Sequence, residues 1–343
     1  MLENFLASPL INFGAAFLVS VAFALYWTPP MRKAALQLGI VDRPDGKLKQ
    51  HDNAVPYLGG LAVFIAFLST VGVMTKLEAF ERETLGLLLS GSIALIVGLI
   101  DDFGALTPAQ KTFGQLIAAL VLMKSGIYIK LQFVPWYVAI PLTVLWILAV
   151  TNAFNIIDIM DGLASGVACV AAIVIAAANF MAGREPQAFL AVILAGSAFG
   201  FLRHNFHPAK IFLGDAGSMF MGFMLAALSL NAGYTRTNHL AAISPVLILG
   251  IPIFDLMLVM YIRWRKGIPM TKGSPDHFAL RLRRCHLSVR EIAITAYIVG
   301  ALLGGVALLM SQVRLEWALA TFAGTVSALC LSAYLLMKVD MRS

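Results

Sequence analysis

The sequence predicts an all-α integral membrane protein, a single polytopic domain over residues 1–343 with about eleven transmembrane helices. Three observations predict it. Of the 343 residues, 60% are apolar and only 13% are charged. A soluble domain carries roughly 25% charged residues, so this chain has too little polar surface to cover a core in water. The mean hydropathy is +0.85. Apolar runs near the roughly 20 residues that a span needs recur along the whole chain.

In order, the candidate spans lie at about 9–28, 55–75, 85–100, 113–129, 137–153, 164–182, 187–202, 217–233, 240–262, 292–311 and 317–337. An acidic residue and no Lys or Arg precede the first. That makes a poor cleavable signal peptide and predicts a retained helix. The third, fifth, seventh and eighth runs are short, and are expected to extend into their flanks or to end in a polar cavity. Cys169, Cys285 and Cys330 fit neither a metal site nor a disulfide framework.

An odd number of spans puts the termini on opposite sides, and the Lys/Arg distribution sets the direction. Segments 29–54, 101–112, 154–163, 203–216, 263–291 and 338–343 carry 18 of the 25 Lys and Arg residues, and the rest of the chain carries 7. The split predicts that these segments are cytoplasmic, with the N-terminus outside and the C-terminus inside. The net charge of +7 needs no nucleic acid; positive-inside bias and attraction to anionic lipid account for it. Apart from Asp255 in the ninth span, every Asp lies on the predicted cytoplasmic loops or helix ends, while every Glu except Glu291 lies outside. A site needing short, rigid carboxylates at one membrane face explains this sorting.

The first of these loops reads DRPDGKLKQHDNAVPYLGG. It is either a flexible positive-inside loop or a phosphate-facing Lys49 beside glycines that admit a ligand to the backbone. The third span ends GLIDDF, placing Asp101 and Asp102 at the membrane face, where adjacent carboxylates repel unless a cation shares the site. Lys111 follows at the mouth of the next span, as a partner, a phosphate ligand or an ordinary snorkelling lysine. In TNAFNIIDIMDGLASG, helical geometry over 155–161 would put Asn155, Asp158 and Asp161 within about 120° of arc. The alternative is an ordinary interhelical hydrogen-bond network.

The seventh span empties into RHNFHPAKIFLGDAGSMFMG. Asp215 or Ser218 caps the helix that follows, or that helix N-terminus receives a phosphate with Asp215 holding a cation against it. Asn205 and Phe212 are candidates to bond to and stack on a nucleobase. Asp255, about 12 Å from Arg263 along a helix, is expected to order a break near Pro245 and Pro252 or to pair with a loop cation. The last large loop mixes eight Lys/Arg with Asp276, His277 and His286, as a lipid-surface helix or as a lid over a polyanionic substrate. Oxygen ligands without cysteine clusters suit Mg²⁺ or Mn²⁺. A hard cation among Lys, Arg and a helix N-terminus suits phosphoryl transfer to a membrane-lipid acceptor.

These segments resemble the polyprenyl-phosphate N-acetylhexosamine-1-phosphate transferase family. The matching pieces are KQHDNAVPYLGG, GLIDDF with Lys111, NAFNIIDIMDGLASG, NFHPAKIFLGDAGS and the basic loop before the tenth span, in the family's order over about residues 40–290. The resemblance implies a UDP-N-acetylhexosamine donor, an undecaprenyl-type phosphate acceptor and UMP release at the cytoplasmic face of a bacterial inner membrane. The branch it implies begins O-antigen, common-antigen or teichoic-acid synthesis, and it allows a homodimer. Residue by residue it implies Asp215 as Mg²⁺ ligand with Asn155 and Asp101, and Asp101, Asp102, Asp158 and Asp161 as the catalytic acidic set. Lys49, Lys111, Asn155, Asn205, Phe212, Asp276, His277 and Arg281 then meet the substrates.

One stretch departs from the family. Where an HxHH-type motif is usual, this chain reads SPDHFALRLRR, keeping His277 but placing Ala279, Leu280 and Arg281 in the other positions. An unusual or modified N-acetylhexosamine donor is the consequence to expect. A lipid phosphate, largely dianionic at neutral pH because its second pKa is near 6, scarcely needs a general base. Direct attack is therefore expected, with Asp101 or Asp102 orienting the acceptor or removing a residual proton. The rival readings are a peptidoglycan-type translocase, a transporter or flippase, and a catalytically silent scaffold. A transporter would carry its ionisable groups near the midplane.

Overall fold

A computed structural model describes residues 9–42, 55–75, 81–230, 232–269 and 275–341. Among them eight helices are long and apolar enough to cross a membrane, or nine if one bent pair is a single span. The chain is a polytopic helical membrane protein. Its elements are α1 (Pro9–Gln37), a two-residue antiparallel pair β1 (Val41–Asp42) and β2 (Val55–Pro56), α2 (Gly59–Met74), α3 (Arg82–Asp102) and α4 (Pro108–Ser125). Then come α5 (Trp136–Ile157), α6 (Leu163–Met181), α7 (Glu185–Asn205) and α8 (Gly214–Ser229). Two 3₁₀ turns lead to α9 (Ser244–Ile248) and α10 (Gly250–Lys266), and α11 (Phe278–Arg284), α12 (Val289–Gln312) and α13 (Leu315–Met337) complete the chain.

The short apolar runs extend as expected: α3, α5 and α7 each reach the polar residues that flank them. The prolines at 29 and 30 do not end α1, which continues through them to Gln37. The ninth apolar run is broken, with an 80° bend between His239–Ile248 and Gly250–Lys266. Pro252 lies in the first turn of α10, where a missing N–H costs no helix bond.

The helix at the centre of the bundle is α8, with every residue buried except Asp215. It can be central because its sequence, GDAGSMFMGFMLAALS, offers small residues that let other helices press against it. A Cβ on Gly60 would overlap the backbone nitrogen of Gly217, and one on Gly98 would overlap the carbonyl of Asp215. The starts of α2 and α8 are also tied by backbone hydrogen bonds: Gly59 and Gly60 donate to the carbonyls of Phe212 (3.0 Å) and Leu213 (2.8 Å), and Phe212 donates to that of Pro56 (2.9 Å). Close backbone approach around α8 thus sets the position of Asp215.

At the end of the bundle that holds Asp215, side chains knit the helix ends together. Arg32 Nε donates to the Lys210 carbonyl (2.9 Å), and Arg290 Nε to that of His207 (3.0 Å). At the other end, Arg236 holds the carbonyls of Met181 (3.2 Å) and Ala182 (2.5 Å), and Asn238 donates to those of Met310 and Val313, each at 2.8 Å.

Candidate active site

Lys111 is delivered by the first turn of α4. Thr107 and Gln110 form a reciprocal capping box, with Pro108 at the first helical position, so the helix start is fixed. One turn further in, Gln115 is fully buried and trades amide hydrogen bonds with Asn152 of α5, at 2.8 and 3.4 Å. This pair registers α4 against α5, so that Lys111 and Asn155, each about a turn nearer the helix ends, meet.

The Lys111 ammonium donates to Asp101 Oδ2 (2.6 Å), Asp215 Oδ2 (2.7 Å) and Asn155 Oδ1 (3.0 Å). The Asn155 amide nitrogen donates in turn to Asp215 Oδ1 (2.6 Å) and Ser218 Oγ (3.0 Å). Four helices thus supply one polar knot, in which the Lys111 and Asp101 side chains are only 15% and 17% exposed.

Asp102 does something else. Consecutive helical residues point about 100° apart, and the Asp102 carboxylate turns to the start of α8, where it accepts from the backbone nitrogens of Asp215 (2.7 Å) and Ala216 (3.1 Å). Gly214, at φ +73°, leaves room for it: a Cβ there would stand 2.8 Å from Asp102 Oδ2. Leu213, the residue before the helix, has no side-chain cap bond of its own. The helix N-terminus that the sequence offered to a phosphate therefore already holds a carboxylate from α3, the position that favours negative charge. Asp102→Ala is expected to cost about 0.5–2 kcal/mol of stability, the range for a lost cap. Asp102→Asn should recover part of it, and thermal unfolding in detergent reads both.

The polar stretch TNAFNIIDIMDGLASG is not helical throughout. Helix α5 ends at Ile157, Asp158 is its C-cap, and Gly162 turns the chain into α6. The arc expected for Asn155, Asp158 and Asp161 is thereby opened. Among the described residues Asp158 shows no hydrogen-bonded partner. Burial pushes its carboxyl well above the ordinary carboxylate range, and the charges of Asp215, Asp102 and Asp161 push the same way. Asp161 instead accepts from the Ala209 nitrogen (3.0 Å) and pairs with His207 Nδ1 (2.7 Å).

Asn205 is a brace in this structure. Its Oδ1 accepts from Ser165 Oγ (2.7 Å) and the Gly162 nitrogen (3.2 Å), and its Nδ2 donates to the Ile211 carbonyl (3.1 Å). Tyr297 supports the same turn by donating to the Gly162 carbonyl (2.6 Å). Phe212 lies 6.2 Å from the ring of Tyr57, beside a cavity of about 510 Å³ lined in part by Tyr57, Asp102 and Phe103.

The last loop forms a second cluster. Asp276 accepts from Lys266 Nζ (2.9 and 3.0 Å) and from the Arg281 guanidinium (2.5 Å), which also donates to the carbonyls of Leu336 (2.9 Å) and Val339 (3.2 Å). Arg281 thus ties α11 to the end of α13. His277 Nδ1 lies 2.7 Å from Asp255 Oδ2, while Asp255 Oδ1 accepts from the Phe278 nitrogen (2.7 Å). Asp255 therefore does pair with this loop, from inside α10. Lys49 lies outside the described residues.

Sequence reasoning singled out neither Gln115 nor Tyr297. A signal existed for Gln115: an amide four residues after Lys111 in an apolar run, on the same helix face. Among the described residues no three His, Cys, Asp or Glu side chains are grouped to hold a metal. The fit of a hard cation rests on a different set: two carboxylates and one amide oxygen converging on a single point now filled by the Lys111 ammonium. Mg²⁺ is held in this sparse way, by one or two carboxylates with water and substrate phosphates, and not by an all-protein cage.

The fold is that of an integral membrane protein, and its partly buried acidic centre lies at the helix ends. The model of the family described as glycosyl transferase family 4 matches residues 84–233. A Bacillus subtilis protein named probable undecaprenyl-phosphate N-acetylglucosaminyl 1-phosphate transferase is 34% identical over 299 residues, covering 85% of this chain and 83% of the relative. The decaprenyl-phosphate N-acetylglucosaminephosphotransferase of Mycobacterium tuberculosis is 32% identical over 327 residues, with 84% and 80% covered. An undecaprenyl-phosphate alpha-N-acetylglucosaminyl 1-phosphate transferase of Yersinia pestis is 27% identical over 322 residues, with 88% and 84% covered. The chain belongs to the polyprenyl-phosphate N-acetylhexosamine-1-phosphate transferase family.

Proposed function

We propose that this protein transfers N-acetylhexosamine 1-phosphate, in the first instance N-acetylglucosamine 1-phosphate, from its UDP-sugar to undecaprenyl-type phosphate and releases UMP. This is the membrane-committed first step of a cell-surface glycan. The observation that carries the reading is the Lys111 knot: oxygens of Asp101, Asn155 and Asp215 around one ammonium, at the ends of apolar helices in a chain of this family. The relatives' names favour N-acetylglucosaminyl transfer over the translocase alternative.

We place the site on the cytoplasmic face of a bacterial inner membrane, in eleven crossings with the N-terminus outside. The 18-to-7 division of Lys and Arg supports this. So do α2, a shorter apolar helix, and α4, which runs from Lys111 in the acidic knot to Lys124, whose carbonyl accepts from Arg82 at the far end. Assembly as a homodimer belongs to the same reading, by resemblance.

Asp101, Asp215 and Asn155 are the residues that would hold Mg²⁺, or Mn²⁺. The bound ion would neutralise charge on the reacting phosphates and on the departing UMP. The chain itself supplies positioning. Lys111 meets the donor diphosphate, and Asp158, with no hydrogen-bonded partner among the described residues, orients the lipid phosphate or removes a residual proton. An oxygen of the lipid phosphate then bonds to the sugar-linked phosphorus. The bond from that phosphorus to the bridging oxygen breaks, and the electron pair leaves with UMP. Direct displacement asks only for alignment and charge neutralisation.

Purified protein in detergent, given undecaprenyl phosphate, Mg²⁺ and a panel of UDP-N-acetylhexosamines, is expected to release UMP with one donor and to stop with EDTA. Silence with every donor, from folded protein, would remove the proposal.

A further inference from the structure

We propose that Lys111 and the divalent cation occupy the same oxygen cage in turn, so that the ion displaces the ammonium and thereby frees it for the nucleotide phosphates. This rests on the function proposed above and adds a coupling between cation and nucleotide.

An ammonium has three N–H donors, and in Lys111 all three are engaged, by Asp101 Oδ2 at 2.6 Å, Asp215 Oδ2 at 2.7 Å and Asn155 Oδ1 at 3.0 Å. These are the hard oxygens, from α3, α8 and α5, that a Mg²⁺ ion would need at about 2.0–2.1 Å. Two cations cannot share that centre. Each would take the other's ligands, and they would repel at a distance too short for solvent to screen.

The scaffold restricts what can yield. The start of α4 is fixed by the Thr107–Gln110 capping box, and its register against α5 by the Gln115–Asn152 pair. Asp215 is held through its own backbone nitrogen by Asp102 and through its side chain by Asn155. What remains free to move is the four-carbon Lys111 stem, with its rotatable ammonium. Once displaced, the ammonium has lost all three partners beside a partly buried acidic centre. Phosphate oxygens of a nucleotide replace them, so the ion and the nucleotide each favour the other's binding.

The wild-type protein carries the first test. Acylation of Lys111 by an amine-reactive reagent, followed by peptide mass spectrometry, is expected to be slow without ion, faster with saturating Mg²⁺ and slow again with Mg²⁺ plus UMP. The second test is Mn²⁺ binding by electron paramagnetic resonance without nucleotide. Lys111→Met is expected to bind Mn²⁺ more tightly than wild type, on the order of tenfold, and to lose any further tightening by UMP. Lys210→Met, which removes an exposed charge of the same end, should leave Mn²⁺ binding nearly unchanged.

Unchanged or slower Lys111 labelling with Mg²⁺ overturns the exchange. So does a Lys111→Met protein that binds Mn²⁺ no better than wild type, or equal tightening in Lys210→Met, which would mean long-range charge alone. A wild-type protein that turns over but fails these tests leaves the transferase reading intact. One that binds no Mn²⁺ and releases no UMP overturns both.

Discussion

Alanine at position 215 is expected to abolish UMP release while leaving a folded protein. Asp215 is where the most strands of the site meet. Its Oδ2 receives the Lys111 ammonium at 2.7 Å, its Oδ1 receives the Asn155 amide at 2.6 Å, and its backbone nitrogen is held by Asp102 at 2.7 Å. Removing the carboxylate takes away an oxygen of the proposed cation set and leaves Lys111 and Asn155 without their shared partner. Removal of one well-placed electrostatic group costs about 10²–10³ in rate, and this variant removes a cation ligand as well. The backbone bonds from Asp102 do not depend on the 215 side chain, so the first turn of α8 should survive. UMP release and thermal unfolding, measured side by side, test this. Wild-type turnover in Asp215→Ala would remove Asp215 from the chemistry.

Asp158→Asn is expected to stabilise the cation-free protein and to destroy its activity. In the folded chain burial, aided by Asp215, Asp102 and Asp161, raises the Asp158 carboxyl well above its ordinary value. The unfolded chain titrates it near 3.9. Between those two values the folded state binds the extra proton, so stability falls as pH rises through that window, and the loss is complete above the folded value. Asparagine carries no such charge. Its advantage should vanish below about pH 4 and grow as the pH is raised, read as the unfolding midpoint in EDTA across pH. Turnover should fall by about 10²-fold or more, as for loss of a group that positions or deprotonates a reactant. An unfolding midpoint equal to or below wild type at neutral pH would mean that the carboxylate is not under repulsive strain.

Both predictions concern residues that stood out in the sequence as carboxylates between apolar flanks, and their neighbourhood was partly legible there. The place of Lys111, at the mouth of the span that follows GLIDDF, marked it as a partner for that acidic pair. The sequence could not separate Asp101 from Asp102, because adjacent residues on a helix diverge by about 100° and only the packing says what each meets. Asp101 meets Lys111, and Asp102 meets the amides of α8. Asn152 and Asn155 look alike in TNAFN, yet one registers two helices through Gln115 and the other touches the acidic centre. The altered loop SPDHFALRLRR is a similar case. Its change from the family pattern was visible as letters, but only the fold shows Arg281 spent on Asp276 and on the end of α13, and His277 on Asp255.

Composition and the length of the apolar runs set the solvent: with 60% apolar and 13% charged residues in runs of about 20, the chain crosses lipid as helices, because the backbone there must close its own hydrogen bonds and runs of that length do so as helices. The sequence also set which residue types gather between the spans. The tertiary structure alone decided which of those polar groups face each other and which are consumed as braces. Hydrogen-bond geometry within about 3 Å depends on how closely helices approach, and here that approach is set around α8 by Gly60, Gly98 and Gly217.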